Sequence, residues 1–141
     1  MRLELGGKIN MKNTTRKKDT GNFVTRYVKS FRHAIDGIVY AIENEHNILI
    51  MMLATIFVLI ASFLLDISKL ELMLVVICIG TVIACEMINS AIEACVDLET
   101  TEENKLAKIA KDCASGASLV LSVMSLFVAG IIFIPKILEL F

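Results

Sequence analysis

Four polar residues recur at helical spacing where a long apolar stretch of the chain ends: Glu86, Asn89, Glu93 and Asp97. Their intervals place them within about an 80° sector of one helix face. An ionisable side chain in a membrane segment costs at least about 2–3 kcal/mol, so it usually faces a cavity or a partner. The pattern therefore favours a functional site, and a purely structural polar seam is the alternative.

These residue types are suited to phosphoryl transfer at a membrane surface. Clustered carboxylates bind hard cations such as Mg²⁺, and Mg²⁺ normally accompanies phosphates. Glu86, the deepest carboxylate, could take the proton from a lipid hydroxyl. Lys111 could meet phosphate charge, whereas Lys105 and Lys108 are typical of anchors at the membrane surface. The sequence has no Walker A loop and no glycine-rich kinase loop, so a soluble kinase fold is excluded.

The elements that must position these residues are apolar runs long enough to cross a membrane. The chain has 141 residues, of which 56% are hydrophobic. Three helical spans are predicted, at about 48–65, 70–97 and 113–136, because each crossing needs about 20 apolar residues. We expect a polar loop from Leu98 to about Ala110, and the third helix can stop near Pro135. The predicted fold class is an all-α integral membrane protein.

The segment before the first span has a different pattern. At about 22–46, apolar residues recur at helical spacing between charged ones, which predicts an amphipathic helix lying in the membrane interface. A soluble helix packed on the rest of the protein is the alternative. Residues 1–21 are polar and are predicted to form a disordered extension. The membrane domain is therefore expected at 22–141.

Charge distribution predicts the orientation of the chain in the bilayer. Residues 1–47 hold nine Lys/Arg and five acidic residues, so this arm is expected in the cytoplasm. Three crossings then gather Glu45, the 86–97 segment and the Lys111-Asp112 pair at the cytoplasmic membrane surface. A strong basic stripe is missing from the sequence, so nucleic acid is not an expected partner.

The 86–97 segment, EMINSAIEACVD, resembles the E-x-x-N-[ST]-A-I-E-x-x-V-D signature of the prokaryotic diacylglycerol kinase family. The segment from Ala110 to Ala117 looks like that family's second motif, and Asn44-Glu45 resembles its N-E element. The resemblance covers about Asn22 to the C-terminus. It implies a homotrimer of three-helix subunits, each with an amphipathic surface helix, in the bacterial plasma membrane. It also implies active sites shared between subunits that use ATP and Mg²⁺.

The resemblance further implies roles for individual residues. Glu86 would be the catalytic base, Asn89 would hold the reacting groups, and Ser115 would lie near the lipid headgroup. Glu45 and Glu93 would bind the Mg²⁺ of the nucleotide. The nucleotide itself would be contacted by Arg26, His33, Glu45, Glu93, Glu102, Asn104, Lys111 and Asp112. His33 departs from the family pattern, which often has a tyrosine there, although an imidazole could still stack on a base.

Three interpretations of function remain open at this point. Members of the family phosphorylate undecaprenol or diacylglycerol, and the segment Ser30–Ile38 is more similar to the Gram-positive branch, where undecaprenol is the usual substrate. An ion or proton pathway would need acids distributed through the bilayer, whereas here they collect on one side. A membrane assembly subunit that keeps the motif without activity is the third possibility.

Overall fold

The computed structural model describes residues 22–99 and 104–141, and these ranges contain four α-helices. Helix α1 is Phe23–Asn44, α2 is His46–Leu64, α3 is Lys69–Glu99 and α4 is Lys105–Leu138. The all-α prediction is confirmed for this part of the chain. The extension predicted at 1–21 lies outside the described residues.

Three of these helices, α2, α3 and α4, are long and apolar enough to cross a membrane. Their 19, 31 and 34 residues correspond to about 28, 46 and 51 Å at 1.5 Å per residue. The hydrocarbon core of a bilayer is about 30 Å thick. Helix α2 therefore just spans it, whereas α3 and α4 have several turns to spare, which can carry polar residues into the interfacial region.

The connection between α2 and α3 is tight and well specified. Asp66 adopts a positive φ of 45°, which Asp tolerates better than most residues. Ser68 and Glu71 then form a capping box. The Ser68 amide donates to Oε2 of Glu71 at 2.7 Å, and the Glu71 amide donates to Oγ of Ser68 at 3.3 Å. These bonds satisfy free amides of the first turn and fix the start of α3.

One predicted boundary was wrong. The polar loop expected at Leu98–Ala110 is much shorter, because α3 continues to Glu99 and α4 begins at Lys105. The residues at both ends of that segment are good helix formers, and their polarity marks departure from lipid rather than the end of a helix. Helix α4 ends at Leu138, near the predicted stop at Pro135. A proline so close to the end of a helix disturbs few hydrogen bonds.

The chain divides into two compact units, Met1–Ile35 and Asp36–Phe141. The described residues of the first unit belong to the first part of α1. In the second unit α3 packs along α4, and α2 packs against α3. Few side chains are buried: the apolar ones are Ala41, Ile48, Val75, Ala114 and Ile132, and the polar ones are Ser62, Glu86, Asn89 and Ser118. The buried polar residues point to the site.

Candidate functional site

Polar side chains follow one face of α3 as the helix leaves its apolar stretch. Glu86 and Asn89 are buried, with 4% and 8% of their surface exposed. Glu93 is half-buried and Asp97 is exposed. Exposure therefore rises along the face toward the end of the helix. This gradient gives a deep carboxylate and amide at one end and a more accessible pair of carboxylates at the other.

The deepest residue, Glu86, is held by another helix. Asn47, in the first turn of α2, donates from Nδ2 to Oε1 of Glu86 at 2.8 Å. The Ser90 hydroxyl donates to the backbone carbonyl of Glu86 at 3.1 Å. Within residues 22–99 and 104–141, Oε2 of Glu86 has no hydrogen-bond partner. The carboxylate is thus fixed at one oxygen and open at the other.

One turn further along, Asn89 and Glu93 form the next layer. Nδ2 of Asn89 donates to Oε1 of Glu93 at 3.1 Å, while Oδ1 of Asn89 is buried without a hydrogen-bond partner among the described residues. A buried acceptor left unpaired costs about 1–3 kcal/mol, so native proteins rarely keep one without a reason. The free amide oxygen and the carboxylate are hard oxygen donors of the kind that Mg²⁺ prefers.

Helix α4 supplies cations to the same end of the molecule. Nζ of Lys111 lies 2.5 Å from Oδ1 of Asp97 on α3, and its side chain is 34% exposed. Lys108 pairs with Asp112 of its own helix at 2.7 Å, and its side chain is 76% exposed. Exposed ion pairs contribute little stability, about 0–1 kcal/mol. Both pairs can therefore open at small cost, and Lys111 is the lysine that faces α3.

The contact between Lys111 and Asp97 indicates which residues of the antiparallel helices α3 and α4 lie at the same level. Ser115 follows Lys111 by four residues and Glu93 precedes Asp97 by four, so Ser115 and Glu93 lie at about the same level. By the same count Ser118 lies near the level of Asn89. Ser115 is exposed, whereas Ser118 is buried and its Oγ has no hydrogen-bond partner in the described part of the chain.

Glu45 precedes α2 as its N-cap residue. It is half-buried, its side chain makes no capping hydrogen bond, and its backbone amide donates to the carbonyl of Ala41 at 2.9 Å. Among the described residues, no group of three or more His, Cys, Asp or Glu side chains could hold a metal ion. Mg²⁺ does not require such a group, because it usually binds with one or two carboxylates plus substrate phosphates.

The other predicted nucleotide contacts are more scattered. Arg26 and His33 are exposed residues of α1 and belong to the first unit. Glu102 lies outside the described residues. Asn104 is the N-cap of α4, where its Oδ1 accepts from the amides of Leu106 and Ala107 at 2.8 and 3.3 Å. The structure thus gives Asn104 a structural role in starting α4.

Asn47 is the residue that reasoning from the sequence missed. It stands immediately before the first apolar run, where a polar residue looks like the solvated end of a helix. The only available signal was a polar residue one position inside a helix that enters the membrane. Its partner is 39 residues away in sequence, so spacing alone could not pair the two.

Comparison with known proteins supports the resemblance read from the 86–97 segment. The family model described as prokaryotic diacylglycerol kinase matches residues 32–133. The chain is 41% identical over 120 residues to the undecaprenol kinase of Bacillus subtilis (strain 168), covering 85% of this chain and 98% of the relative. It is 31% identical over 125 residues to a diacylglycerol kinase of Synechocystis sp., covering 88% of this chain and 71% of the relative. A diacylglycerol kinase of Pseudomonas aeruginosa is 32% identical to the chain over 105 residues, covering 74% of this chain and 83% of the relative.

Proposed function

Since the chain belongs to the prokaryotic diacylglycerol kinase family and is a multi-pass membrane lipid kinase, we propose that its acceptor is undecaprenol and its product undecaprenyl phosphate. The relative named undecaprenol kinase shares more identity with this chain than the two diacylglycerol kinases compared. The similarity of Ser30–Ile38 to the Gram-positive branch supports the same acceptor.

Diacylglycerol is the second candidate acceptor, with phosphatidic acid as the product. Relatives named diacylglycerol kinase match most of this chain. Both lipids present a primary hydroxyl at the level of the headgroups, so one catalytic arrangement serves either. The choice between them depends on how the lipid chains are bound, and the catalytic residues below apply to both.

The observation that carries the proposal is the buried carboxylate of Glu86. One of its oxygens is held by Asn47 and the other has no partner among the described residues. We assign Glu86 as the general base that takes the proton from the lipid hydroxyl. The hydroxyl oxygen then bonds to the γ-phosphorus, and the bond from that phosphorus to the β–γ bridging oxygen breaks, so that ADP leaves.

The side chains proposed as ligands are oxygen donors, which suit a magnesium ion carried by the nucleotide. Glu93 and Glu45 are the proposed carboxylate ligands, and the unpaired Oδ1 of Asn89 is a buried oxygen at the same layer as Glu93. When bound, Mg²⁺ neutralises charge on the phosphate oxygens. Asn89 has a second role in this scheme, since it orients the Glu93 carboxylate through its Nδ2.

Around this centre, the remaining residues are proposed to hold the two substrates. Lys111 can exchange Asp97 for a phosphate at little cost, because their ion pair is exposed. Ser115, level with Glu93 and exposed, is proposed to contact the lipid headgroup. The nucleotide contacts proposed from the family resemblance are Arg26, His33, Glu102, Asn104 and Asp112.

We place the site at the cytoplasmic face of the bacterial plasma membrane, in a homotrimer with α1 lying in the membrane interface. The basic arm before α2 supports that orientation. Most apolar side chains of α2, α3 and α4 are exposed in the single chain, which leaves ample surface for lipid and for neighbouring subunits. Shared active sites would bring residues of a second subunit to each site.

The test is phosphate transfer by the purified protein in detergent or lipid vesicles. Labelled ATP and Mg²⁺ are supplied with undecaprenol and diacylglycerol in parallel reactions. We expect label mainly on undecaprenol. If the label is mainly on diacylglycerol, the proposed mechanism stands but the acceptor is diacylglycerol. If folded protein labels neither lipid, the assembly-subunit alternative is favoured.

Glu86→Gln tests the assignment of the base. The amide keeps the shape of the side chain but cannot accept the proton, so we expect kcat to fall by about 10²–10⁴-fold. Assembly, followed by size-exclusion chromatography in detergent, should be unchanged. Activity close to that of the unmodified protein would show that another group takes the proton.

A further inference from the structure

We propose that Asn47 is a positioning residue for phosphoryl transfer, acting through the carboxylate of Glu86. This inference rests on the proposed function, because it requires Glu86 to be the base. Neither the recognisable motifs nor the predicted site residues include Asn47. The observation behind it is the 2.8 Å hydrogen bond from Nδ2 of Asn47 to Oε1 of Glu86.

The bond connects two helices that pack against each other and are joined by a short turn at their far ends. Asn47 lies in the first turn of α2, and Glu86 lies in the second half of α3. Ile48, the residue after Asn47, is only 2% exposed. That buried side chain anchors the first turn of α2, so the Asn47 amide group is presented from a fixed backbone.

A buried carboxylate needs such a partner. Glu86 is 4% exposed, and a buried ionised group is strongly destabilising unless it is hydrogen-bonded or paired. Lysine or arginine would satisfy it, but a full positive charge would also compete with the substrate proton for the carboxylate. The neutral amide of Asn47 satisfies one oxygen without adding that charge.

The bond from Asn47 also determines which carboxylate oxygen of Glu86 accepts the proton of the lipid hydroxyl. A glutamate side chain has several rotatable bonds, and a base must be held within hydrogen-bond reach of the proton that it removes. With Oε1 engaged by Asn47, the carboxylate plane is fixed and Oε2 remains for the lipid hydroxyl. Loss of the amide lets Glu86 rotate and leaves Oε1 as a competing acceptor.

Three variants separate this role from simple packing. Asn47→Leu keeps the volume and removes the donor, Asn47→Asp keeps the shape and places a second carboxylate against Glu86, and Asn47→Gln keeps a donor on a longer arm. Each is assayed with ATP, Mg²⁺ and undecaprenol in detergent micelles, with diacylglycerol replacing undecaprenol if that lipid is the better acceptor. Both kcat and KM are measured.

We expect kcat to fall by about 10–100-fold in Asn47→Leu, as loss of a hydrogen bond to a charged group implies. The kcat of Asn47→Asp should fall further, because two carboxylates would face each other. The kcat of Asn47→Gln should lie between that of Asn47→Leu and that of the unmodified protein. KM for ATP and for the lipid should change by less than about threefold, since Asn47 is not proposed to touch either substrate.

Ser62→Ala is the matched control. Ser62 is a buried polar residue of α2, the helix that carries Asn47, but its hydroxyl donates to the carbonyl of Val58 in its own helix, at 2.7 Å. We expect it to leave kcat unchanged. If Asn47→Leu does not assemble, Asn47→Asp, which is isosteric and polar, provides the same comparison.

The outcomes distinguish this inference from the proposed function. Rates near that of the unmodified protein in Asn47→Leu or Asn47→Asp, with Glu86→Gln inactive, would overturn the role of Asn47 alone. An active Glu86→Gln variant would overturn the base assignment itself. A rise in KM with unchanged kcat would also overturn the inference, because it would make Asn47 a substrate-binding residue.

Discussion

The helix pair α3 and α4 has two halves that differ in the polarity of their buried side chains. The site half comprises 86–97 of α3 and 105–118 of α4, and its buried residues include Glu86, Asn89 and Ser118. The far half comprises 72–83 of α3 and 122–133 of α4, and its buried residues are Val75 and Ile132. A cavity of about 290 Å³ also lies there, lined mainly by apolar side chains of α2, α3 and α4 together with Thr55, Ser122 and Ser125.

This contrast shows how one pair of helices divides stability from function. The site half keeps buried polar atoms that have no partner among the described residues, which destabilises the folded state. The far half contributes apolar packing and no candidate catalytic residue. Functional sites are commonly kept at some expense of stability, which the rest of the fold must supply. Substitutions in the two halves should therefore affect different quantities.

The largest effect after loss of the base is expected from Glu93→Gln in the site half. The amide is a weaker ligand for a hard cation, so the Mg²⁺ concentration giving half-maximal rate should rise by at least about 10–100-fold. Titration of the reaction rate with Mg²⁺ measures this. Glu99→Gln, at the exposed end of α3, is the control, and an equal shift in it would indicate a general charge effect.

A smaller effect is expected from the lysine that faces α3. Lys111→Gln should raise KM for ATP by about tenfold, equivalent to about 1.4 kcal/mol of lost charge-assisted binding. Lys108→Gln removes the same charge from a more exposed position, where the lysine pairs within its own helix. Its KM for ATP should stay within about twofold of that of the unmodified protein. Equal effects in both would mean that only the total charge near the membrane surface matters.

In the far half the expected change is in stability. Val75 is 3% exposed, whereas its neighbour Val76 is 53% exposed. Val75→Ala should lower the free energy of unfolding by about 1–3 kcal/mol, and Val76→Ala by less than about 0.5 kcal/mol. Melting in detergent measures the difference. Both variants should keep kcat, and a fall in kcat for folded Val75→Ala would show that the halves are not separable.

The smallest effect, and one of opposite sign, is expected from a pair of buried serines. The Ser118 hydroxyl has no hydrogen-bond partner in residues 22–99 and 104–141, whereas Ser62 donates to Val58. Ser118→Ala should leave stability unchanged or raise it by up to about 1 kcal/mol, because it removes an unpaired polar group. Ser62→Ala should lose about 0.5–1 kcal/mol. A clear loss in Ser118→Ala would show that its hydroxyl has a partner in the assembled protein.

Much of this organisation could be predicted before any coordinates. The three membrane-crossing helices follow from runs of apolar residues, and the alignment of Glu86, Asn89, Glu93 and Asp97 follows from helical periodicity. The loop at Leu98–Ala110 could not be predicted by the same reasoning, since polarity reports where a segment leaves lipid and not where its hydrogen bonds end. The Asn104 cap, which starts α4, decides that boundary.

The sequence by itself determined the family, the helical membrane fold and the order of the polar residues along α3, because these depend on local periodicity and on a contiguous motif. Only the tertiary structure decided that Asn47 holds Glu86 and that Ser118 lies near the level of Asn89. Such contacts depend on how α2 packs on α3 and on the register between α3 and α4. A shift of either helix by one residue would turn its side chains by about 100° and remove these pairings.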